Sequence, residues 1–312
     1  MSTLGITGGL SGGDLGTSSR ELRNRRIRLG LLFVSPWVIG FLAFTLYPFL
    51  TTLYYSFTRF SGVGKPSFIG VSNYKTMFSD RLFWYSLYNT FYYTIIEVPV
   101  STVAAIAIAM LLNMKIKGLA VYRTVFYLPT VVPIVASSML WLWLFNPSFG
   151  IINEILSAVH ITGPGWMFSV AWSKPTFIVM GLWGIGAPMV IYLAALQGVP
   201  QHLYEAASLE GAGPLQRIRH VTLPMISPAV LFNVVLGLVA SLQYFTQAYV
   251  MTQGGPDNAT MFYSLYLYYQ AFRYLNLGYA SAMAWLLFVF VLLITLLLFK
   301  SSSRWVYYAS GR

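Results

Sequence analysis

Five stretches of this chain carry no acidic, lysine or arginine side chain, and each outruns the ~20 residues that a helix needs to cross ~30 Å of hydrocarbon. They run from Leu29 to Thr58, Thr124 to Asn153, Pro175 to Tyr204, His220 to Pro256 and Tyr274 to Phe299. A further apolar run, Tyr88 to Leu112, is interrupted only by Glu97. Lipid offers no partner for backbone N–H and C=O groups, so such runs fold as helices that satisfy themselves. The expectation is an all-α, polytopic integral membrane protein with six transmembrane helices, near Leu29 to Leu50, Tyr88 to Leu112, Thr124 to Phe145, Pro175 to Leu196, Pro228 to Met251 and Ala280 to Phe299. A hydrophobic content of 57% against 9% charged excludes an ordinary soluble domain.

Lysines and arginines set the orientation. With both termini inside, thirteen of the nineteen fall on the cytoplasmic side, at Arg20, Arg23, Arg25, Arg26, Arg28, Lys115, Lys117, Arg123, Arg217, Arg219, Lys300, Arg304 and Arg312. Arg59, Lys65, Lys75, Arg81, Lys174 and Arg273 remain outside. The net charge of +11 is then a matter of basic flanks against anionic lipid, and a nucleic-acid partner is not expected. Residues 1–28 read as a disordered, basic cytoplasmic tail whose first part, Met1 to Ser19, is rich in Ser, Gly and Thr. Residues 29–299 form the membrane domain and 300–312 a short cytoplasmic tail. No Ala-x-Ala site ends the first apolar run, which is too long for a signal peptide. The absence of cysteine excludes disulfides and thiolate metal sites.

Residues 198–228 interrupt two membrane-length runs with a polar cytoplasmic loop. Leu203, Ala206, Ala207 and Leu209 lie toward one face of a short helix that Gly211 can end in a left-handed conformation. Gly213-Pro214 opens a second, with Leu215, Ile218 and Val221 at helical spacing, and Pro224 and Pro228 are expected to prevent smooth continuation. Small residues admit a close approach and Glu205 and Glu210 offer charge, so the knob reads as a docking element or, blandly, as a solvated connector.

Glu205-Ala206-Ala207, Gly211, Val221 and Leu223-Pro224 resemble the signature loop of ABC importer permeases. Glu210 stands where Asp is commoner and Ile218 where an aromatic is, which keeps charge sign and apolarity. Leu32-Phe33-Val34-Ser35-Pro36-Trp37, Tyr47-Pro48, Tyr55-Ser56-Phe57, Phe68-Ile69-Gly70-Val71-Ser72-Asn73-Tyr74 and Val250-Met251-Thr252-Gln253-Gly254-Gly255-Pro256 with Ala259-Thr260 resemble the carbohydrate-uptake subgroup, the maltose and glycerol-phosphate type. The resemblance implies a type I importer permease fold in a bacterial or archaeal cell membrane, with sugar transport by alternating access. It also implies a homologous second permease in a heterodimer, two ATP-binding cassette subunits that bind the ATP, and an extracytoplasmic solute-binding protein. Glu205, Ala206, Ala207, Glu210, Gly211 and Pro224 would then couple to the ATPase. A motif alignment with maltose permeases brings Thr130, Ile134, Met180, Trp183, Gly184, Ala187, Ala240, Ser241 and Tyr244 near sugar-contacting positions. Of these Thr130, Trp183, Ser241 and Tyr244, with nearby Gln243 and Gln247, can hydrogen-bond or stack on a sugar. No catalytic residue, metal or cofactor of its own is expected.

Glu97 is the only carboxylate well inside a span, where a charge costs on the order of 3 kcal/mol. It is expected to face protein, either paired with a helix end, a Tyr hydroxyl or a partner subunit, or forming part of a polar lining or proton relay. Rival classes are an ion-coupled carrier, which needs further intramembrane carboxylate or His groups, and a membrane enzyme, which needs clustered acid, base or metal-ligand groups. His160, His202 and His220 all fall in loops. An importer of a non-sugar solute is a nearer alternative.

Overall fold

The structure of the chain is a computed structural model that describes residues 15–114 and 117–307. Two compact units divide it at Tyr54 and Tyr55. The first is the greater part of one long helix: α1 (Leu15–Phe41), a π turn (Leu42–Leu46) and α2 (Tyr47–Ser56), which ends just inside the second unit. Pro36 is accommodated within α1. Residues 15–28 are thus helical rather than irregular. No proline falls there, and Leu, Arg and Glu favour helix. Residues 1–14, Lys115 and Arg312 lie outside the described residues, as do the side chains of Arg20 and Arg25, so the expectations placed on them stay untested.

The second unit opens with β1 (Thr58–Arg59) and β2 (Ser67–Phe68), an antiparallel pair with Thr58 opposite Phe68. Helix α3 (Ser72–Ser79) follows, and Asp80 caps α4 (Arg81–Leu112), its Oδ1 accepting from Leu82 N at 2.9 Å. The third apolar run is not the straight helix expected over Thr124 to Phe145. It comprises α5 (Leu119–Tyr127), a 3-10 turn (Leu128–Val131) and α6 (Ile134–Leu144), bent by 100°. Pro133 explains the break: it has no N–H to donate, and Val132 before it is extended at φ −69°, ψ 127°.

Beyond α7 (Ile151–Ala158), the fourth run is likewise two helices, α8 (Ser173–Trp183) and α9 (Gly186–Gln197), bent by 49°. A Cβ on Gly186 would lie 2.4 Å from the Phe126 carbonyl, so α9 starts against the backbone of α5 at a place only glycine allows. The polar loop holds α10 (Gln201–Leu209) and α11 (Pro214–Arg217). Pro224 and Pro228 do not stop the chain as expected, since α11 passes through a π turn (Ile218–Thr222) into α12 (Leu223–Leu242). Leu223 N bonds the Ile218 carbonyl five residues back, and Pro224, in the first turn of α12, forfeits a donor that the shifted register does not need. After a break come α13 (Thr246–Met251), α14 (Tyr263–Tyr268) and α15 (Leu277–Ser302).

Among the described residues, four helices are thus long and apolar enough to span a membrane, and six spans result if each bent pair counts as one. Fully buried Ala105 and Ala109 on α4 let α9 and α12 approach closely, around Met189, Tyr192 and Ile226. A second core gathers Phe83, Phe177, Phe262, Tyr263 and Met283 toward the other end of α4.

Candidate functional site

The bends place irregular backbone around a cavity of about 700 Å³ in the second unit. Non-helical backbone at membrane depth is tolerated where it lines such a space. Thr130 enters from the 3-10 turn, Trp183 from the end of α8, Ser241 from α12, and Gln243, Tyr244 and Gln247 from the α12–α13 break and α13. All six sequence-selected positions line this one cavity, as do Ile134, Met180, Gly184, Ala187 and Ala240 from the motif alignment.

Each side chain is held differently. Thr130 Oγ1 donates to the Tyr127 carbonyl at 2.6 Å and Ser241 Oγ to Leu238 at 3.2 Å, which leaves their lone pairs to accept. Trp183 meets Trp141 edge to face at 5.8 Å. Tyr244 is buried in an aromatic cluster, its ring 4.5 Å from Tyr93, 5.1 Å from Phe262 and 5.5 Å from Phe177. Tyr244 is thus as much a packing residue as a lining one. Gln243 is exposed.

Sequence reasoning left out Ser101, Thr102, Ser137, Trp141 and Asn233, which also line the cavity. Asn233 could have been found as an isolated amide within an apolar run, whereas the Ser and Thr residues are too common in membrane helices to stand out. Glu97 faces the cavity as well, and a Cβ on Gly181 of α8 would lie 3.2 Å from its Oε1.

The polar loop forms a second site. Helix α10 ends in a paired hydrogen-bond closure: Ala212 N donates to Ala207 at 2.9 Å and Gly211 N to Ser208 at 3.1 Å, with Gly211 at φ +80°. The left-handed stop expected from sequence is therefore present. Gly213 N donates to Gln216 Oε1 at 2.8 Å, Arg217 Nε to the Ala212 carbonyl at 2.9 Å, and the Tyr204 and Thr222 hydroxyls lie 3.1 Å apart, tying the two arms. Glu205, Ala206, Glu210 and Gly211 are exposed, Ala207 and Pro224 half-buried. Leu209, expected with Leu203 and the alanines on one face, is 91% exposed and Leu215 77%: the loop is too short to fold over its own apolar side chains.

Residues 98–309, which include this loop and most of the cavity lining, match the family model described as binding-protein-dependent transport system inner membrane component. The chain belongs to that family. The probable ABC transporter permease protein YesP of Bacillus subtilis is 41% identical over 96% of this chain and 98% of its own length. The trehalose/maltose transport system permease protein MalF of Thermococcus litoralis is 33% identical over 90% and 95%. Among solved structures, a bacterial ABC transporter involved in the import of alginate superposes with a TM-score of 0.80 over 91% of this chain and 99% of that one; at 24% identity this speaks to fold alone. Membership makes the chain a multi-pass membrane subunit of a binding-protein-dependent ABC importer, a transport component rather than an enzyme. It excludes the ion-coupled carrier and the membrane enzyme.

Proposed function

We propose that this chain supplies half of a pathway that carries a sugar or sugar derivative inward by alternating access. The single observation behind this is that Thr130, Trp183, Ser241, Gln243, Tyr244 and Gln247 all line one cavity of about 700 Å³. Hydroxyl and amide groups suit a sugar's hydroxyls, and indole and phenol rings suit its apolar C–H faces. Relatives named for trehalose/maltose and lactose transport favour a sugar over another solute.

In this reading residues 29–299 form the permease domain, with the termini and residues 198–228 cytoplasmic. A homologous permease supplies the other half of the pathway as a heterodimer, and an extracytoplasmic binding protein delivers the substrate. Closure of two ATPase subunits pushes on the loop through Glu205, Ala206, Ala207, Glu210 and Gly211, with Pro224 at the root of the second arm. Thermal-shift screening of the cognate binding protein against a saccharide panel, followed by uptake into vesicles holding the whole transporter, tests the substrate class. A binding protein stabilised by amino acids or inorganic ions and by no saccharide overturns the sugar reading. For orientation, a reporter fused after Gly198 reads cytoplasmic and one after Gly255 extracytoplasmic, and the reverse pattern refutes it.

A further inference from the structure

Among the described residues, Glu97 is the one charged residue that lines the cavity, since no lysine, arginine, histidine or second carboxylate is found with it there. It is half-buried on α4, at membrane depth, where an ionisable group is expensive and is retained for a partner or a ligand. The partners in its own chain are modest. Ser101, one turn on, donates instead to the Val98 carbonyl at 3.2 Å, and no cation lines the cavity with Glu97. Room has been left for the carboxylate on α8, because at Gly181 even a methyl group would press on Oε1 at 3.2 Å. Trp183 lines the same cavity with its indole, and Asn233 and Ser241 offer neutral polar groups.

We propose that Glu97 is a substrate contact that sets charge selectivity: its carboxylate accepts paired hydrogen bonds from neighbouring hydroxyls of the sugar. This half of the pathway then favours neutral and amino sugars over sugar acids and phosphorylated sugars. A carboxylate is acceptor-only, with two oxygens spaced to take two donors, and vicinal hydroxyls present such a pair. An ammonium group in place of one hydroxyl gains a charge partner. A second carboxylate or a phosphate meets like charge in a space of low dielectric, with no cation on this side to offset it. The proposal rests on the sugar reading above and deepens it.

Three probes separate the possibilities, glucose, glucosamine and glucuronate, which differ in charge on one ring. Their binding to the purified permease pair with its ATPases, binding protein omitted, is read by tryptophan fluorescence, Trp141 and Trp183 being in the cavity wall. The wild type is expected to bind glucosamine at least as tightly as glucose and glucuronate roughly ten-fold more weakly, the scale of one charged hydrogen bond. Glu97→Gln, nearly isosteric, brings glucuronate to within about three-fold of glucose and removes the preference for glucosamine. Gly181→Ala keeps the charge but displaces it, and weakens glucose and glucosamine together. An unchanged glucuronate-to-glucose ratio in Glu97→Gln, with its wild-type complement of ATPase subunits, overturns the role of Glu97 and leaves the sugar reading standing. A wild-type complex that binds glucuronate as tightly as glucose overturns the charge selectivity, and the sugar reading itself stands or falls with the binding-protein screen.

Discussion

The polar loop and the cavity are two polar places in this apolar chain, and they are built in opposite ways. The loop is local. Its two arms are closed by hydrogen bonds between residues no more than eighteen apart, Gly211 to Ser208, Arg217 to Ala212 and Tyr204 to Thr222, while Tyr307 N donates to Ser227 at its root, and its tips, Leu209 and Leu215, stand in the open. The cavity is assembled from afar: Tyr93 and Tyr244 line it and pack with Phe177 and Phe262 behind them, four separate segments meeting as one aromatic cluster. A surface meant for another protein can be made by a short segment folding on itself. A space meant to hold a small solute needs walls on every side, and so draws on packing throughout the unit. The same kind of substitution should therefore act on the partner in one place and on the fold in the other.

The strongest test of that contrast is Tyr244→Ala. Losing a buried ring from the cluster is expected to cost roughly 3–5 kcal/mol, lowering the unfolding temperature in detergent and abolishing uptake together. Tyr244→Phe keeps the packing and should lose far less of either. If Tyr244→Ala unfolds and transports like the wild type, the cluster is not what holds the cavity.

Next in size is Gly211→Val in the loop. At φ +80° a β-branched residue is strained by ~1–2 kcal/mol, yet a Cβ there meets nothing within 4 Å. The permease should therefore reach the membrane intact while retention of the ATPase subunits on purification falls by roughly ten-fold, the equivalent of that strain. Binding-protein-stimulated hydrolysis in vesicles should also separate from uptake. Unchanged subunit stoichiometry and coupling would reduce the loop to a connector.

Trp183→Ala should fall between the regions in character. The ring is half-buried with one edge-to-face neighbour, Trp141, so truncation costs on the order of 1 kcal/mol of packing while uptake drops several-fold. Wild-type uptake by this variant would mean that the indole only packs. Smallest is Glu205→Lys, an exposed charge whose reversal is worth about 1 kcal/mol or less. It should weaken ATPase retention at low salt and much less at high salt; an effect indifferent to ionic strength would point away from a charge contact.

The same contrast governs what could be read in advance. Spans follow from hydropathy because lipid imposes one rule on every residue of a run, and the end of α10 followed from Gly211 because its geometry is made where that residue stands, whereas Pro224 did not break the helix that runs through it. The bends were not foreseen. Pro129 and Pro133 in one run and Gly184, Gly186 and Pro188 in another were visible, but proline within a membrane helix is compatible with an unbroken helix, as Pro36 in α1 and Pro99 in α4 illustrate. What decides the matter is whether a neighbour occupies the freed space, as α5 does at Gly186. The cavity positions reached by motif alignment were found without knowledge of the walls. Glu97 was singled out as costly, but only the packing of α4 against α8 sets its carboxylate beside Gly181 rather than against a helix end.

Because α11, its π turn and α12 are continuous, the exposed Leu215 and the cavity-lining Ser241 sit on a single rod, a separation on the order of 40 Å along its axis. A tilt of about 10° pivoting near Ser241 sweeps the Leu215 end through roughly 7 Å. Between them regular hydrogen bonding is interrupted at the π turn Ile218–Thr222 and at Pro228, which has no N–H to donate, so these two places fix how much of a push at one end is spent as flexing before reaching the other. Stiffness there is also reciprocal: whatever free energy a solute in the cavity gains from one tilt of the rod, a protein seated at Leu215 must feel by the same amount.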